Sequence, residues 1–160
     1  MHGSRTTRAA TESKGPTICR SGSTIGSGEL AASVRRCGDA FSDTYGLVCT
    51  VVVADDLPPV DRSVGTALVG AISEALTNVG KHAQARTVTV YVEPDDDRSA
   101  ITAWVRDDGD GFDASTVVSG VGLARSIVGR VESVGGSVKI VSEPTRGTEL
   151  ELHVPGAPDA

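Results

Sequence analysis

A single long amphipathic stretch, from Arg62 to Ala83, is the feature that most restricts how this chain can fold. Its apolar side chains recur every three or four positions and therefore share one side of a helix. They are Val64, Ala67, Leu68, Ala71, Ile72, Ala75, Leu76 and Val79. The prolines of the preceding turn bar a longer helix, and Asp61 is a suitable N-cap. A stripe of this length must be buried against a second layer, so the sequence predicts a helix that lies on a core.

The second layer is predicted from four strand segments, of which 87–92 and 148–154 show a clear alternation of apolar and polar residues. Residues 87–92 and 100–107 flank the turn "PDDDRS", and residues 137–142 and 148–154 flank "EPTRG". Alternation over a few residues, interrupted by turn residues, is typical of β-hairpins with one buried face. Two antiparallel hairpins are therefore expected.

Three further elements complete the predicted order. Residues 47–54 are rich in β-branched side chains and predict another strand, while residues 29–46 have helical spacing and end on Gly46, a suitable C-cap. A third helix is expected within residues 121–136, with its stop at Gly135 and Gly136. This order predicts an α/β (α+β) two-layer sandwich, in which the helices cover one face of an antiparallel-rich sheet.

The chain has 160 residues, the usual length of one domain with one core. Residues 1–28 are rich in Ser, Thr, Gly and Arg without periodicity, and they offer too little apolar surface to offset the entropy of ordering. We therefore expect a disordered tail or an appended remnant at 1–28, a folded domain at 29–156 and a short tail at 157–160.

The formal net charge of −6 argues against a general nucleic-acid or anionic-membrane surface. No apolar run approaches the ~20 residues that span a bilayer, and the amino terminus lacks a hydrophobic signal core. Cys19, Cys37 and Cys49 lack the paired spacing of a zinc site or a disulfide framework, which favours free thiols in a reducing compartment. These features favour a cytoplasmic domain, or the cytosolic part of a membrane-bound sensor, without nucleic-acid binding or membrane insertion of its own.

Four chemically active side chains lie along the edge of the long helix: Glu74, Asn78, Lys81 and His82. At ~100° per residue they fall within an arc of about 100° that borders the apolar stripe. An Asn oxygen suits Mg²⁺, a carboxylate can orient or deprotonate a reacting group, and a lysine offers charge to phosphate. Polar pairs at this spacing are also common on ordinary helix surfaces, so these four residues alone leave both interpretations open.

The segment 107–112, "DDGDGF", follows a predicted strand and admits three interpretations. A calcium loop is disfavoured because no glutamate stands at its twelfth position and the flanks are strands rather than helices. A simple turn explains Gly109 and Gly111 but not Asp107, which ends the strand beside the core. An adenine slot explains the aspartate and both glycines. The carboxylate would accept a hydrogen bond from the exocyclic amine, and the missing side chains would leave room for the ring.

A second glycine pair, Gly120 and Gly122, stands just before the third predicted helix. Backbone amides at a helix N-terminus favour phosphate. Gly-x-Gly alone is weak evidence for a phosphate site. The order of polar helix, aspartate–glycine segment and second glycine pair nevertheless favours a nucleotide pocket over coincidence.

Together, "EALTNVGKHA" (74–83), "DDGDGF" (107–112), "GVGL" (120–123) and "RGTELELHVP" (146–155) resemble the catalytic ATP-binding domain of bacterial sensor histidine kinases. That domain belongs to the GHKL superfamily, with gyrase-type topoisomerases and heat-shock ATPase chaperones. The Asn-x-x-Lys-His-Ala ending and the short span between glycine motifs are most similar to the nitrate-sensor and DesK-like subfamily. The resemblance covers roughly residues 29–156 and implies a Bergerat-type ATP-binding fold, with a mixed sheet under three helices.

The resemblance also implies a role for each matching residue, with ATP and Mg²⁺ as cofactors. Asn78 would ligate Mg²⁺, and Glu74 and Lys81 would act in catalysis. Lys81 and His82 would approach the phosphates or ribose, and Asp107 would bind the adenine amine. The other implied site residues are Gly109 and Gly111 in the pocket wall, Gly120, Val121, Gly122 and Leu123 in a lid hinge and phosphate-side turn, and Thr148 in support of the aspartate.

The chain departs from the family pattern in three respects. Asp108 occupies a position that is often Asn. The third helix lacks the usual Met-Arg-Glu-Arg run, although Arg130 stands where an arginine is expected. None of the histidines, which are His2, His82 and His153, has the sequence context of a phosphoacceptor.

The leading hypothesis is therefore a kinase domain that acts in trans. It would supply the γ-phosphoryl group of ATP to a histidine on a separate dimerisation domain, from which the group passes to a response-regulator aspartate. One alternative is a serine kinase of the same fold that inhibits a sigma factor, and another is a non-catalytic ATP-gated binding module. A soluble α/β domain with fortuitous polar residues is the remaining alternative.

Overall fold

The computed structural model describes residues 24–111 and 118–158, and within these it describes residues 118–123 by their backbone course alone. These parts of the chain form three α-helices, a π-helical turn and seven strands. In chain order they are β1 (Thr24–Ile25), α1 (Ser27–Tyr45), β2 (Val48–Val53), β3 (Val60–Asp61), α2 (Arg62–Asn78), the π-helical turn (Val79–Ala83), β4 (Thr87–Pro94), β5 (Ala100–Asp107), α3 (Val118–Glu132), β6 (Ser137–Ser142) and β7 (Thr148–Pro155).

Five strands form one sheet in the order β2-β4-β5-β7-β6. β2 runs parallel to β4, and every other neighbouring pair in this sheet is antiparallel. Alternation along β4 defines the two faces, because Val88, Val90 and Val92 are buried whereas Thr89 and Tyr91 are exposed. The predicted two-layer sandwich, a mixed and mostly antiparallel sheet with three helices on one face, is confirmed.

Helix α2 supplies the centre of the core. Leu68, Ile72 and Leu76 are buried in one cluster with the apolar side chains of the sheet. Full burial of such a side chain contributes about 1.5–3 kcal/mol, so this helix is a main anchor between the two layers. The π-helical turn continues α2 to Ala83, and the predicted long amphipathic helix is therefore confirmed over its whole length.

The predicted ends of the first two helices are also found. α1 ends at Gly46, which has a left-handed φ of 67° and donates its N–H to Ser42 O. Asp61 occupies the N-cap position of α2 with extended backbone, although its side chain makes no capping hydrogen bond.

Within the ranges that the structure describes, no helix has the length and apolar character needed to cross a membrane.

The folded part begins earlier than expected. β1 pairs antiparallel with β3, and its Ile25 is buried. The hydroxyl of Ser27 donates to Asp55 O at 3.0 Å. Residues 24–28 are thus not a tail, because Ile25 finds its apolar partners in segments that follow much later in the sequence, which local periodicity does not signal. Residues 1–23 and 159–160 lie outside the described residues.

Helix α3 also starts earlier than expected, at Val118. Residues 120–123 therefore lie inside the helix, and the prediction of a turn before it is wrong. A glycine in a helix interior costs about 1 kcal/mol relative to alanine, so two glycines do not by themselves prevent a helix. The expected contacts of residues 120–123 with phosphate, and the whole of 112–117, lie outside what the structure describes.

The two described cysteines, Cys37 and Cys49, are free and half-buried. Burial raises the pKa of both thiols, and it raises that of Cys49 to about 11. Both therefore remain protonated at neutral pH and are poor nucleophiles. Cys19 lies outside the described residues.

Candidate functional site

A row of polar side chains crosses the end of the sheet on the face that the helices cover. Asp107 ends β5, Thr148 faces it from the start of β7, and Ser142 faces Thr148 from the end of β6. Each of the three lies on the same strand face as buried residues such as Val105 and Leu150. Their side chains therefore point toward the helices. Strand pairing thus brings together polar residues from three separate segments.

Hydrogen bonds order this row. Gly109 N–H donates to Asp107 Oδ1 at 2.8 Å. Ser142 Oγ lies 2.8 Å from Thr148 Oγ1, and its hydroxyl donates to Gly147 O at 3.2 Å. Because a serine has a single hydroxyl proton, the Thr148 hydroxyl is the donor between the two side chains. The row is therefore a connected polar edge within an otherwise apolar layer.

Burial raises the pKa of Asp107, and the neighbouring charge of Asp108 acts in the same direction. Hydrogen bonds from the backbone amides of Gly109 and Thr148 oppose that rise. A buried carboxylate is costly unless donors surround it. A ligand that donates a further N–H hydrogen bond to Asp107 would therefore offset part of the free-energy cost of burying this carboxylate.

Asp107, Ser142 and Thr148 line a cleft of about 260 Å³ at this end of the sheet. The turn before β7 forms another side of it, and the lining extends onto the open face of the sheet at Arg106, Val141 and Glu149. Sites that enclose a complete drug-sized ligand measure about 300–1,000 Å³. The cleft therefore suits one flat part of a larger ligand, such as a base.

The two glycines after Asp107 permit close contact between backbone segments. A Cβ at Gly109 would lie 2.1 Å from Ala83 O, and one at Gly111 would lie 2.1 Å from Glu143 O. Gly111 also has a φ of +64°, which other residues rarely adopt. We expected the missing side chains to leave room for a ring, but backbone carbonyls fill that room. The glycines shape the site by letting chain segments converge.

The same packing joins the long helix to the aspartate–glycine segment. Asp110 N–H donates to Ala83 O at 2.8 Å, and Thr145 N–H donates to Asp110 O at 2.6 Å. Ala83 is the last residue of the π-helical turn. The end of the long helix, the segment after β5 and the turn before β7 therefore meet around Asp110.

The polar residues of the long helix lie at this meeting point or on the turns that lead to it. Asn78 is the last residue of α2, and the π-helical turn carries Lys81 and His82. Glu74 and Asn78 are half-buried, whereas Lys81 and His82 are exposed. π-helical turns within α-helices are rare and are frequent at functional sites. The last turns of the helix thus carry a carboxylate, an amide, an ammonium and an imidazole.

Most of the predicted site residues lie in two groups, one around the Asp107 carboxylate and one on the π-helical turn. Asp107, Gly109 and Thr148 are joined by hydrogen bonds, and Gly111 packs on the turn before Thr148. Lys81 and His82 precede Ala83, which contacts the first group directly. Glu74 and Asn78 lie farther back on the same helix.

Sequence reasoning missed two residues of this region. Ser142 completes the polar row, and the predicted hairpin across "EPTRG" contains the signal for it, because its register sets Ser142 opposite Thr148. Asp108 was noted only as a departure from a family pattern. Its carboxylate bonds to the chain just after the π-helical turn, a contact that the sequence does not signal.

Comparison with known proteins gives a family match and several relatives. Residues 63–158 match the family described as histidine kinase-, DNA gyrase B-, and HSP90-like ATPase. The chain is 34% identical to the sensor histidine kinase YdfH of Bacillus subtilis (strain 168) over 86 residues, 52% of this chain and 21% of that protein. It is 32% identical to the oxygen sensor histidine kinase NreB of Staphylococcus carnosus (strain TM300) over 127 residues, 79% of this chain and 36% of that protein. The chain therefore spans well under half the length of these relatives.

Solved structures have the same fold. The histidine kinase domain of the Erythrobacter litoralis EL346 blue-light activated histidine kinase superposes with a TM-score of 0.67 at 21% identity, over 79% of this chain and 60% of that one. The Acinetobacter baumannii histidine kinase AdeS superposes with a TM-score of 0.63 at 13% identity, over 84% and 67% of the two chains. Since the family match covers more than half of the sequence, this chain belongs to the histidine kinase-, DNA gyrase B-, and HSP90-like ATPase family.

Proposed function

We propose that this chain binds ATP with Mg²⁺ and supplies the γ-phosphoryl group to a histidine on a separate dimerisation domain in two-component signalling. The observation that carries the proposal is the buried carboxyl of Asp107, because the segment that follows it packs on Ala83, at the helix end that bears Lys81 and His82. Membership of the ATPase family and relatives named as sensor histidine kinases support it.

Adenine recognition would depend on Asp107. Its carboxylate would accept a hydrogen bond from the exocyclic amine, while the amides of Gly109 and Thr148 hold it in place. The hydroxyls of Ser142 and Thr148 would complete the polar side of the cleft, directly or through a water. Guanine carries a carbonyl where adenine carries the amine, and a site built for one hydrogen bond rejects a ligand that lacks its partner. We therefore expect a strong preference for adenine.

The phosphate end of the nucleotide would lie along the end of the long helix. Among the described residues, no group of three or more His, Cys, Asp or Glu side chains could hold a metal. Mg²⁺ usually keeps several waters and takes few protein ligands together with phosphate oxygens, so the amide oxygen of Asn78 fits this mode of binding. When bound, the ion would neutralise charge on the phosphates. Lys81 and His82 would contact phosphate or ribose, and Glu74 would orient the acceptor group.

The phosphoacceptor histidine would come from another domain. His82 belongs to the helix end described above. His153 lies on the open face of the sheet, with Nδ1 3.1 Å from Thr102 Oγ1 and Nε2 3.9 Å from Asp95 Oδ2. His2 lies outside the described residues. The acceptor would thus be presented in trans, in a longer form of this protein or in a separate one, and a cytoplasmic response regulator would then receive the phosphoryl group.

The test is transfer from ATP labelled at the γ-phosphate, with Mg²⁺, to purified dimerisation domains of sensor kinases. An acid-labile label on histidine would support the proposal. An acid-stable phosphoserine on a supplied sigma-factor regulator would favour the serine-kinase alternative, and tight ATP binding without transfer would favour a binding module. Failure to bind any adenine nucleotide would contradict all three.

Asn78→Ala is expected to abolish the Mg²⁺ dependence of ATP binding, because it removes the one protein oxygen proposed to ligate the ion. Calorimetric titration of ATP with and without Mg²⁺ measures this. Thr77→Ala is the matched control, since the Thr77 hydroxyl bonds its own helix at Ser73 O (3.0 Å) and its loss should leave the Mg²⁺ effect unchanged. A full Mg²⁺ effect in Asn78→Ala would mean that the metal binds elsewhere.

A further inference from the structure

Asp108 stands next to Asp107 in the sequence, but its carboxylate has other partners. Oδ1 accepts hydrogen bonds from Arg86 N–H at 2.8 Å and from Thr87 N–H at 3.0 Å, and Oδ2 accepts one from the Thr87 hydroxyl at 3.1 Å. The Thr87 and Arg86 amides lower the pKa of Asp108. One exposed side chain thus makes three charge-assisted hydrogen bonds to two consecutive residues, and such bonds are stronger than neutral ones.

Those two residues follow the π-helical turn almost directly. Gln84 ends the turn with a left-handed φ of 56°. Just before it, Ala83 O accepts the Asp110 N–H, and just after it the chain is bound by Asp108. The turn is therefore fastened on both sides of Gln84 to the segment that begins at Asp107. The fastening before Gln84 uses the backbone alone. The one after it combines the Asp108 side chain with a longer bond from Asp108 N–H to Thr87 O at 3.4 Å, so only its side-chain part can be removed by substitution.

We propose that Asp108 is a positioning residue of the nucleotide site, which holds the turn with Lys81 and His82 at a fixed place relative to Asp107. The role rests on the proposed function. Phosphates at the turn and a base at Asp107 would belong to one ligand, so the two parts of the site must keep a constant spacing. Without the clamp, part of the binding free energy is lost in ordering the turn, and a ligand that uses both parts loses most.

Two substitutions separate the geometry of the clamp from its charge. Asp108→Ala removes all three hydrogen bonds. Asp108→Asn keeps an oxygen that can accept from the two amides, and its amide group can donate to the Thr87 hydroxyl oxygen. If Asp108 acts by positioning, Asp108→Asn should therefore keep most of the ATP affinity that Asp108→Ala loses.

Asp97 offers a matched control at the other end of β5. It is also exposed, and its Oδ1 accepts hydrogen bonds from Ser99 N–H at 3.0 Å and from the Ser99 hydroxyl at 2.7 Å. The Ser99 bonds lower the pKa of Asp97, as the Arg86 and Thr87 bonds do for Asp108. Asp97→Ala therefore removes bonds of the same kind about 25 Å away along the strand, outside the proposed site.

Calorimetric titrations of ATP and of adenosine into the wild type and these variants test the role. We expect Asp108→Ala to weaken ATP about tenfold, the equivalent of one charge-assisted hydrogen bond, and adenosine about twofold or less. We expect Asp108→Asn to stay within about threefold of the wild type and Asp97→Ala to match it. Equal losses for the two alanine variants, or equal losses of ATP and adenosine in Asp108→Ala, would overturn the positioning role.

Hydrogen exchange at the Arg86 and Thr87 amides tests the clamp without a nucleotide. Faster exchange in Asp108→Ala but not in Asp97→Ala supports it, and unchanged exchange overturns it. If Asp108→Ala does not fold, Thr87→Ala removes only the bond to Oδ2 and should weaken ATP more than adenosine; no such difference overturns the role. A wild type that protects these amides but does not bind ATP would contradict the proposed function, and the positioning role with it.

Discussion

Asp107→Asn is expected to weaken ATP binding between about tenfold and a hundredfold, because a hydrogen bond to a buried charged acceptor contributes about 1.5–3 kcal/mol. The variant keeps the size of the side chain but replaces one acceptor oxygen with a donor, which would face the adenine amine. The carboxyl is buried, and its Oδ1 already accepts the Gly109 N–H. The one oxygen that asparagine keeps is therefore needed by Gly109 and cannot also serve the adenine amine at low cost. Calorimetric titration with ATP at neutral pH measures the loss.

The same variant should not destabilise the protein at neutral pH. The pKa of Asp107 is raised mainly by burial, so the folded state holds the proton more tightly than the unfolded state. Ionisation therefore destabilises the fold as the pH rises above the unfolded value of about 3.9. Asparagine has no such ionisation. The melting temperature of Asp107→Asn relative to the wild type is expected to increase between about pH 4 and pH 7.

Asp110→Asn is the matched control for the affinity measurement, because it changes an exposed carboxylate on the same segment. Its ATP affinity should equal that of the wild type. Unchanged ATP affinity in Asp107→Asn would show that adenine does not bind at Asp107. A relative stability that falls as the pH rises would contradict the effect of burial on this carboxyl.

Gly109→Ala is expected to lower the free energy of unfolding by about 3 kcal/mol, because the new Cβ must displace backbone rather than a flexible side chain. The Cβ would lie 2.1 Å from Ala83 O and 2.8 Å from Ala83 C. For a chain of this size the loss corresponds to a melting temperature lower by about 6–12 °C. The displaced Ala83 ends the turn that carries Lys81 and His82, so ATP affinity should fall as well.

Gly129→Ala serves as the control for Gly109→Ala. Gly129 lies in α3, and a Cβ there would meet nothing within 4 Å. Alanine is favoured over glycine in a helix by about 1 kcal/mol, so the melting temperature should stay the same or rise. Equal melting temperatures for the wild type and Gly109→Ala would contradict the close packing of the aspartate–glycine segment on the helix end.

The layers of the fold were predictable because local patterns and tertiary partners agree. The apolar stripe of 62–83 has a helical period, the strands 87–92 and 148–154 have a period of two, and one sheet under the helices buries the apolar side of each. Gly46 ends its helix in the left-handed conformation for which glycine is suited.

The remaining features depend on contacts between segments that are far apart in the sequence. Ile25 is buried only because β1 pairs with β3, and Asp108 acquires its hydrogen bonds only because β5 ends beside the start of β4. We expected Gly109 and Gly111 to leave space for a ring, whereas a Cβ at either position would instead meet the backbone carbonyl of a distant segment. Local periodicity contains no signal for such contacts.

A crystal structure of the chain with Mg²⁺ and a non-hydrolysable ATP analogue is the most direct test of the central claim, that one nucleotide spans the sheet edge and the end of the long helix. We predict that the adenine amine lies at hydrogen-bond distance, about 3 Å, from the Asp107 carboxylate, and that the metal contacts the Asn78 side-chain oxygen. A nucleotide bound elsewhere, with the Asp107 cleft empty and Asn78 away from the metal, would contradict the account.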